Sequence, residues 1–405
     1  MKIFVYAHRL EIGGTQLNAI DLSAALRDLH GHEVVLFATP GPMVKLAEQK
    51  GLRYLPAPDA YLHPSPVRMR ALREAVRHER PDLVHVWDWW QCLDAYYSVH
   101  LPMRVPMVVT DMMMDLTRIL PKWLPTTFGV PDLVDKARAA GRKNVELILP
   151  PIDVHYNAPD SVDPLPFRER YGLSDNSITL VAVSRLSNWM KSESLIRTVD
   201  AVRALGRDMP LEFLIVGEGE ARPRLERLAE KCNSELGRTA VLFAGALLDP
   251  RQAYASADIV VGMGGSALRG MAFGKPVLIV GEQNFSAPFT PGTAESFYRQ
   301  GMFGRGDGDL GNARLVENIS VLAGKPGEFS ALGEFSRQFV VHHFSLESVS
   351  ARLSVFCRAA VAELPGLHVS AADALRTAAI YLRERRFLTP SRDRAPSDRV
   401  ADGAA

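Results

Sequence analysis

The segment at residues 260–280, VVGMGGSALRGMAFGKPVLIV, decides the fold. Its first apolar residues predict a buried strand, and the GMGGS run at 262–266 predicts a turn with little side-chain bulk. A compact helix is expected next, ended by Gly274 in a left-handed conformation, and the last apolar run predicts another strand. This order of elements is typical of a parallel sheet covered by helices.

The turn at 262–266 also predicts a binding site. The N-terminus of a helix presents backbone N–H groups without partners, and these groups attract phosphate. We therefore predict that Gly262, Gly264, Gly265 and Ser266 contact the diphosphate of a nucleotide-activated substrate. The alternative is that the glycines only allow the strand to pack tightly on the helix.

The same alternation of strands and helices extends through both halves of the chain. The first half runs from a predicted strand at residues 2–7 to another at 145–149. A stretch rich in proline and aspartate at 157–166 follows, and the alternation restarts with a strand at 178–183. The sequence therefore predicts an α/β protein with two doubly wound, Rossmann-like domains that face a cleft.

The domain boundaries are expected at changes in composition. The first domain is predicted at residues 1–158 and the second at 159–345. Residues 346–387 are predicted to form terminal helices that return to the first domain. Residues 388–405 contain little that could be buried and are predicted to be disordered.

The composition is that of an ordinary globular protein, with 47% hydrophobic and 23% charged residues among 405. A net charge of +1 gives no support for a nucleic-acid partner and no strong membrane signal. Three widely spaced cysteines, Cys92, Cys232 and Cys357, favour a reducing compartment. No apolar run approaches the roughly 20 residues of a membrane-spanning helix, and the start reads as a strand instead of a signal peptide. A cytoplasmic protein is expected.

Four local motifs resemble those of one family. They are Gly13-Gly14-Thr15, VSRL at 183–186 with Lys191 beyond it, IVGEGE at 215–220, and ADIV at 257–260 running on to MAFGKPV at 271–277. Their order and spacing over residues 1–345 resemble the large family of retaining glycosyltransferases with two Rossmann-like domains (the GT-B architecture). That family includes sucrose synthases and phosphatidylinositol mannosyltransferases. The resemblance implies a nucleotide-sugar co-substrate, for example a UDP-sugar, and transfer with retention.

The resemblance assigns catalytic roles to Arg185 and Lys191, which would bind the donor diphosphate and stabilise it as a leaving group. Arg185 follows a predicted strand, where open parallel sheets bind ligands, and a guanidinium can grip two phosphate oxygens. A metal is then unnecessary, and no Asp-x-Asp or Cys/His cluster looks like a metal site. No metal or other cofactor is expected. The alternative is that both residues are surface charges at a helix entrance.

Further donor contacts are implied by the glycine motifs. Gly217, Glu218 and Gly219 follow a predicted strand and would approach the nucleotide, with Glu218 on the ribose or base. Gly13 and Gly14 would let the backbone approach the donor phosphates or the sugar. A solvated turn glutamate and a simple helix cap are the respective alternatives.

The chain lacks two glutamates that the family has near this glycine turn. The family has a glutamate before the glycine turn and another eight residues on, but residues 258–280 contain no glutamate. Arg269 stands where the second would be, so the contacts of the family with sugar and ribose must be made differently. Glu282, after the next predicted strand, could substitute, or it could be an exposed loop acid.

Acceptor residues are predicted in the first domain. Asp88, Trp89 and Trp90 follow the strand at 84–87, and aromatic faces suit sugar C–H surfaces while a carboxylate suits hydroxyls. Asp111 lies near the position where the family often has a histidine that touches the sugar. We predict that these residues bind a small soluble acceptor; packing in the core is the alternative for the tryptophans.

The predicted function is a glycosyltransferase of the hexosyltransferase type. A catalytically silent relative that partners another transferase is the main alternative, since the family's glutamates are missing. An NAD-dependent oxidoreductase is disfavoured because no G-x-G-x-x-G motif opens the first helix.

Overall fold

The structure is a computed structural model, and the residues that it describes are 1–188, 191–308, 311–364 and 366–384. The predicted tail at 388–405, and the last residues of the predicted terminal helices, lie outside these ranges. The chain divides into two compact units. Unit 1 comprises Met1–Pro151 with Leu346–Ala405, and unit 2 comprises Ile152–Ser345.

Unit 1 contains a seven-stranded sheet in the order β3-β2-β1-β4-β5-β6-β7, and all neighbouring strands pair in parallel. Its strands are Lys2–Tyr6 (β1), Glu33–Ala38 (β2), Arg53–Pro56 (β3), Leu83–Trp87 (β4), Met107–Asp111 (β5), Thr126–Phe128 (β6) and Val145–Leu147 (β7). The residues of β1, β4 and β5 are almost entirely buried, as expected for parallel strands covered on both faces. The carboxyl ends of these strands meet at one edge of the sheet.

The helices of unit 1 connect these strands. They are Gly14–Asp28 (α1), Val44–Gln49 (α2), Pro66–Glu79 (α3), Asp88–Ala95 (α4), Leu101–Met103 (α5) and Pro131–Ala139 (α6). A π-helical segment, Tyr96–His100, joins α4 to α5. At the start of α3 the side chain of Ser65 accepts the N–H of Arg68, and Pro66 occupies the first helical position.

Unit 2 contains a six-stranded sheet in the order β10-β9-β8-β11-β12-β13, parallel except for β13. Its strands are Ile178–Val183 (β8), Leu211–Val216 (β9), Val241–Gly245 (β10), Ile259–Gly262 (β11), Val277–Val280 (β12) and Ser286–Pro288 (β13). Its helices are Leu165–Tyr171 (α7), Ser192–Leu205 (α8), Arg222–Leu236 (α9), Arg251–Ser256 (α10), Gly265–Ala272 (α11), Ala294–Gln300 (α12), Ala313–Ala323 (α13) and Phe329–Phe344 (α14). The prediction of an α/β protein with two Rossmann-like domains is confirmed.

The last two described helices, Leu346–Ala362 (α15) and Leu367–Glu384 (α16), belong to unit 1. Helix α15 packs on α1, where the Nε2 atom of His32 lies 2.8 Å from the hydroxyl of Ser354. Helix α16 is held by polar contacts. The carboxylate of Asp373 accepts the backbone N–H groups of Lys122 and Trp123, each at 2.9 Å.

Within the described part of the chain, every helix is too short or too polar to cross a bilayer.

Candidate functional site

Two cations, Arg185 and Lys191, lie at the carboxyl edge of the unit 2 sheet. Arg185 is exposed in the loop after β8, and Lys191 is half-buried just before the first residue of α8. Burial of the ammonium group and the positive charge of Arg185 together lower the pKa of Lys191 to about 8. Neither cation has a carboxylate partner among the residues that the structure describes. An anion bound here would relieve the repulsion between them.

The glycine turn after β9 supports the loop that carries Arg185. Gly217 has a φ of +142° and Gly219 a φ of +153°, which side chains rarely allow. A Cβ atom on Gly217 would overlap the carbonyl oxygen of Ser184, and one on Gly219 would overlap that of Leu186. These glycines are therefore needed for the close approach of two backbones, and this packing fixes the position of Arg185. Their predicted contact with the nucleotide stays a prediction.

Glu218 has a partner of its own. Its backbone oxygen accepts the N–H of Leu186 at 2.8 Å, and its exposed carboxylate pairs with the guanidinium of Arg222, the first residue of α9. A ribose contact would have to compete with this ion pair.

The glycine turn lies before α11 as predicted, but the hydroxyl of Ser266 bonds within the turn. Gly264 precedes α11 with a φ of +54°, which suits a glycine. The hydroxyl of Ser266 donates to the carbonyl of Met263 at 3.0 Å and accepts its N–H at 3.3 Å. The predicted contact of this hydroxyl with the ligand would compete with these bonds and stays a prediction. The first N–H groups of α11, at Gly265 and Ser266, keep no partner within the helix.

Arg269 adds a third cation close to this turn. Its Nη1 atom donates to the carbonyl of Gly265 at 3.1 Å, so the half-buried guanidinium lies beside the first turn of α11. The position at which the family has an acid therefore carries a positive charge here, which suits an anionic ligand.

Glu282 is not free to replace the missing glutamates. Its carboxylate accepts a hydrogen bond from the guanidinium of Arg305 at 2.8 Å, and its N–H donates to the carbonyl of Gly304 at 3.1 Å. The predicted contact with the sugar would require this pair to open.

A further residue, Glu193, was not found by sequence reasoning. The loop after β12 contains two successive non-glycine residues with positive φ, Gln283 at +52° and Asn284 at +64°. The Glu193 carboxylate accepts both of their N–H groups, at 3.2 Å and 2.7 Å. Because Glu193 lies in the first turn of α8, two residues after Lys191, it ties this strained loop to the helix of the cationic site.

Replacing Glu193 with alanine should lower the free energy of unfolding by about 1–2 kcal/mol, because two charge-assisted hydrogen bonds at a half-exposed group are lost. Glutamine keeps one acceptor oxygen and should lie between alanine and the native residue. Urea denaturation of the three proteins measures the order. Glu220→Ala, at an exposed glutamate nearby, is the control. Equal losses for Glu193→Ala and Glu220→Ala would contradict the proposed support.

In unit 1, His8, Asp88 and Asp111 lie at the carboxyl ends of the neighbouring strands β1, β4 and β5. Asp88 is the first residue of α4 and has a φ of +58°. The Nε2 atom of His8 lies 3.0 Å from one carboxylate oxygen of Asp88, and the N–H of Met112 donates to the other at 2.8 Å. All three titratable side chains are buried. The structure therefore brings together two of the predicted acceptor residues, Asp88 and Asp111, with His8.

Asp88 and Asp111 are neighbouring carboxyl groups, both buried at this edge of the sheet. Burial, and next the negative charge of Asp88, raise the pKa of Asp111 to about 8. Hydrogen bonds from Thr117 and from the N–H of Met113 oppose this rise but are weaker. The Asp111 carboxyl therefore holds its proton more tightly than an exposed aspartate does.

The tryptophans take the alternative role, packing in the core. Helix α4 begins at Asp88 and turns both indoles inward, so Trp89 is 4% exposed and Trp90 1% exposed. Their rings meet edge to face at 5.3 Å, among the apolar side chains of unit 1. The prediction that these rings stack on an acceptor sugar is not met in this structure, because neither ring has an open face.

Gly13 and Gly14 begin α1 at the same edge of the sheet. Gly13 has extended backbone, and a Cβ atom there would meet only the flexible side chain of Gln16. A Cβ atom on Gly14 would meet nothing within 4 Å. Packing within unit 1 therefore does not explain the small residue at position 14, and the predicted approach to the donor stays a prediction.

Within the described ranges no group of three His, Cys, Asp or Glu side chains is placed to hold a metal ion.

Both halves of the chain match family models of glycosyltransferases. Residues 12–124 match Glycosyltransferase Family 4, and residues 177–290 match Glycosyl transferases group 1. Together the two matches span more than half of the chain. The chain belongs to the glycosyltransferases. No curated protein sequence matches it.

Solved structures share the fold of this glycosyltransferase. A glycosyltransferase from Rickettsia africae is 15% identical with a TM-score of 0.71, covering 90% of this chain and 99% of its own. HepE from Anabaena in complex with UDP-glucose is 16% identical with a TM-score of 0.69, and the match covers 89% of this chain and 100% of HepE. A UDP-GlcNAc 2-epimerase from Neisseria meningitidis is 12% identical with a TM-score of 0.59, and the match covers 88% of this chain and 99% of the epimerase. The similarity shows the GT-B fold, which proteins with different activities share.

Proposed function

We propose that this glycosyltransferase moves a sugar from a nucleoside-diphosphate donor to a hydroxyl of a small acceptor, with retention and without a metal. One observation carries the proposal. Arg185 and Lys191, two cations without carboxylate partners among the described residues, lie together where an open parallel sheet binds its ligand. A diphosphate is the anion that fits two such cations.

The chemistry assigned to unit 2 is stabilisation of the leaving group. As the bond between sugar and phosphate breaks, negative charge grows on the diphosphate, and the Arg185 guanidinium and the Lys191 ammonium oppose it. The free N–H groups at the start of α11, with Arg269 beside them, add to the positive potential. Positioning and charge stabilisation then supply the rate, and no protein nucleophile is assigned.

The donor base assigned is uracil. HepE, which shares the fold, was solved with UDP-glucose bound, and this supports a UDP-sugar for the present chain. We also propose a cytoplasmic location, because the three cysteines of the chain are free and buried.

Acceptor binding is assigned to the carboxyl edge of unit 1. A carboxylate oxygen of Asp88 is the assigned contact for the hydroxyl. Because Asp88 is 1% exposed and its oxygens face His8 and the N–H of Met112, this contact requires the edge to open. The positive φ of Asp88 is the kind of local strain that is found at functional sites.

Binding of UDP tests the donor site, and its pH dependence tests Lys191. UDP should raise the melting temperature, while NAD should leave it unchanged. Because only protonated Lys191 attracts phosphate and its pKa in the free protein is about 8, the affinity for UDP should fall as pH rises. Between about pH 7 and about pH 9 we expect a loss of up to about tenfold, measured by calorimetry.

Two substitutions at Lys191 serve as controls for this experiment. Lys191→Arg keeps its charge at both pH values, so its affinity should be nearly independent of pH. Lys191→Met should bind UDP weakly throughout. A shift with NAD but none with UDP, or equal affinity of the native protein at both pH values, would refute the donor assignment.

A catalytically silent relative remains the second candidate, on the observation that Glu218 and Glu282 are both held in ion pairs. Such a protein would bind UDP normally. Release of UDP from a UDP-sugar, with and without a panel of sugar and cyclitol acceptors, separates the two functions.

A further inference from the structure

The outer face of α3 carries arginines without ion-pair partners. Arg70 and Arg77 are exposed and Arg73 is half-buried, while Leu72 and Val76 point into the core. The three arginines line a shallow groove of about 450 Å³, together with Pro66, Met69 and Glu74. Within the described residues none of the three has a carboxylate partner. With three arginines and one glutamate, the groove is therefore a local patch of net positive charge.

Large apolar side chains border this groove. Tyr61 and Leu62, in the segment before α3, are about half exposed, and Val67 in its first turn is 61% exposed. Exposed apolar groups beside unpaired cations are unusual on a surface that faces only water.

Helix α16 leaves large apolar side chains exposed. Its inner face buries the polar residues Ser370, Asp373 and Thr377 and also packs Ala374, Ile380 and Tyr381 against the core. Its outward stripe carries Leu375, which is 74% exposed, and Leu382, which is 63% exposed. A surface helix normally turns its apolar stripe to the core and its polar stripe to water. The outward leucines therefore suit an environment less polar than water.

Contacts place α3 and α16 beside the same part of unit 1. Arg73 donates to the carbonyl of Ser98 at 3.1 Å, and the hydroxyl of Tyr97 donates to the carbonyl of Ala374 at 2.9 Å. Helices α3 and α16 thus flank the same π-helical segment. The hydroxyl of Tyr381 in α16 also donates to the carbonyl of His63, in the segment before α3.

We propose that the α3–α16 face of unit 1 docks on the surface of an anionic lipid bilayer. Guanidinium groups pair with phosphate headgroups, and exposed Leu, Val and Tyr side chains enter the interfacial layer. A nucleic acid would use the arginines but would have no use for the outward leucines of α16. The near-neutral net charge of the chain gives no sign of this patch, because acidic residues elsewhere in the chain balance its positive charge.

Vesicle flotation with the full chain tests the proposal. The native protein should float with vesicles that contain about 30% phosphatidylglycerol, should not float with neutral phosphatidylcholine vesicles, and should be released by salt. Arg70→Glu with Arg77→Glu, and separately Leu375→Ser with Leu382→Ser, should each lower the partition coefficient at least about tenfold. Arg224→Glu with Arg227→Glu makes the same charge change on exposed residues of α9 and should leave binding unchanged.

Melting temperatures within about 2 °C of the native protein show that each variant is folded. Failure of the native protein to bind the anionic vesicles would overturn the proposal, whatever the variants do. It would also be overturned if the leucine pair had no effect while the arginine pair abolished binding, since charge alone would then explain the result. A native dimer that the leucine variant dissociates, without vesicle binding, would instead identify a second copy as the occupant.

Discussion

Replacing Arg185 with alanine should lower turnover by about 10²–10³-fold, the usual cost of removing one preorganised donor to developing negative charge. The free energy of unfolding should change by less than about 0.5 kcal/mol, because the side chain is exposed and has no carboxylate partner among the described residues. Initial rates of UDP release from a UDP-sugar, together with urea denaturation, measure the two quantities on the same protein.

Matched variants distinguish an assigned role in charge stabilisation from a general effect. Arg185→Lys keeps the charge but loses the fork that grips two oxygens, so its turnover should fall between the alanine variant and the native protein. Arg207→Ala removes an exposed arginine elsewhere in unit 2 and should be fully active. If Arg185→Ala turned over at the native rate, the diphosphate site would have to lie elsewhere.

Asp111→Asn should stabilise the protein at alkaline pH and have little effect under acidic conditions. The folded protein holds a proton on Asp111 up to about pH 8, whereas an unfolded aspartate loses its proton near pH 4. Stability of the native protein should therefore fall as pH rises between these values, by several kcal/mol at about 1.4 kcal/mol per pKa unit. Asparagine imitates the protonated carboxyl and does not titrate, so it removes this loss.

The measurement is the difference in unfolding free energy between Asp111→Asn and the native protein at about pH 5 and about pH 8. Histidines that titrate in this range are common to both proteins and cancel in the difference. Asp115→Asn, at an exposed aspartate in the following loop, should show no such dependence. A difference that stays constant between the two pH values would show that the pKa of Asp111 is not raised in the folded protein.

The fold could be predicted because parallel strands that are buried on both faces consist of continuous runs of apolar residues in the sequence. The runs around β1, β8, β11 and β12 are of this kind, and glycines mark the turns that follow three of them. Short strands were harder to predict from the sequence. Two strands, Arg53–Pro56 (β3) and Thr126–Phe128 (β6), have too few residues to show an alternation of apolar and polar side chains. They are strands because each pairs with a neighbouring strand, β3 with β2 and β6 with β5.

The site in unit 1 could be predicted in part. His8 and Asp88 follow β1 and β4, and Asp111 ends β5. Strands adjacent in a parallel sheet bring such residues together. The sequence left both roles open for Trp89 and Trp90, acceptor contact and core packing, because the choice depends on a helix that begins at Asp88 with a left-handed backbone. Aspartate tolerates a left-handed conformation, but its presence in a sequence does not predict one.

Glu193 had no signal in the sequence at all. Its role depends on the positive φ values of Gln283 and Asn284, which lie about 90 residues away and which neither residue type requires. Long-range hydrogen bonds from a side chain to strained backbone leave no periodic pattern to find.

Unit 1 is built from two stretches of chain with the whole of unit 2 between them, and this sets an order for biosynthesis. A ribosome that adds about 5–20 residues per second needs roughly 10–40 s to translate the intervening segment. During that delay Lys122 and Trp123 lack the carboxylate of Asp373, and α1 lacks the helix that covers it. Unit 2 is continuous and can fold as soon as it has been translated, whereas unit 1 is completed only after its C-terminal helices have been translated.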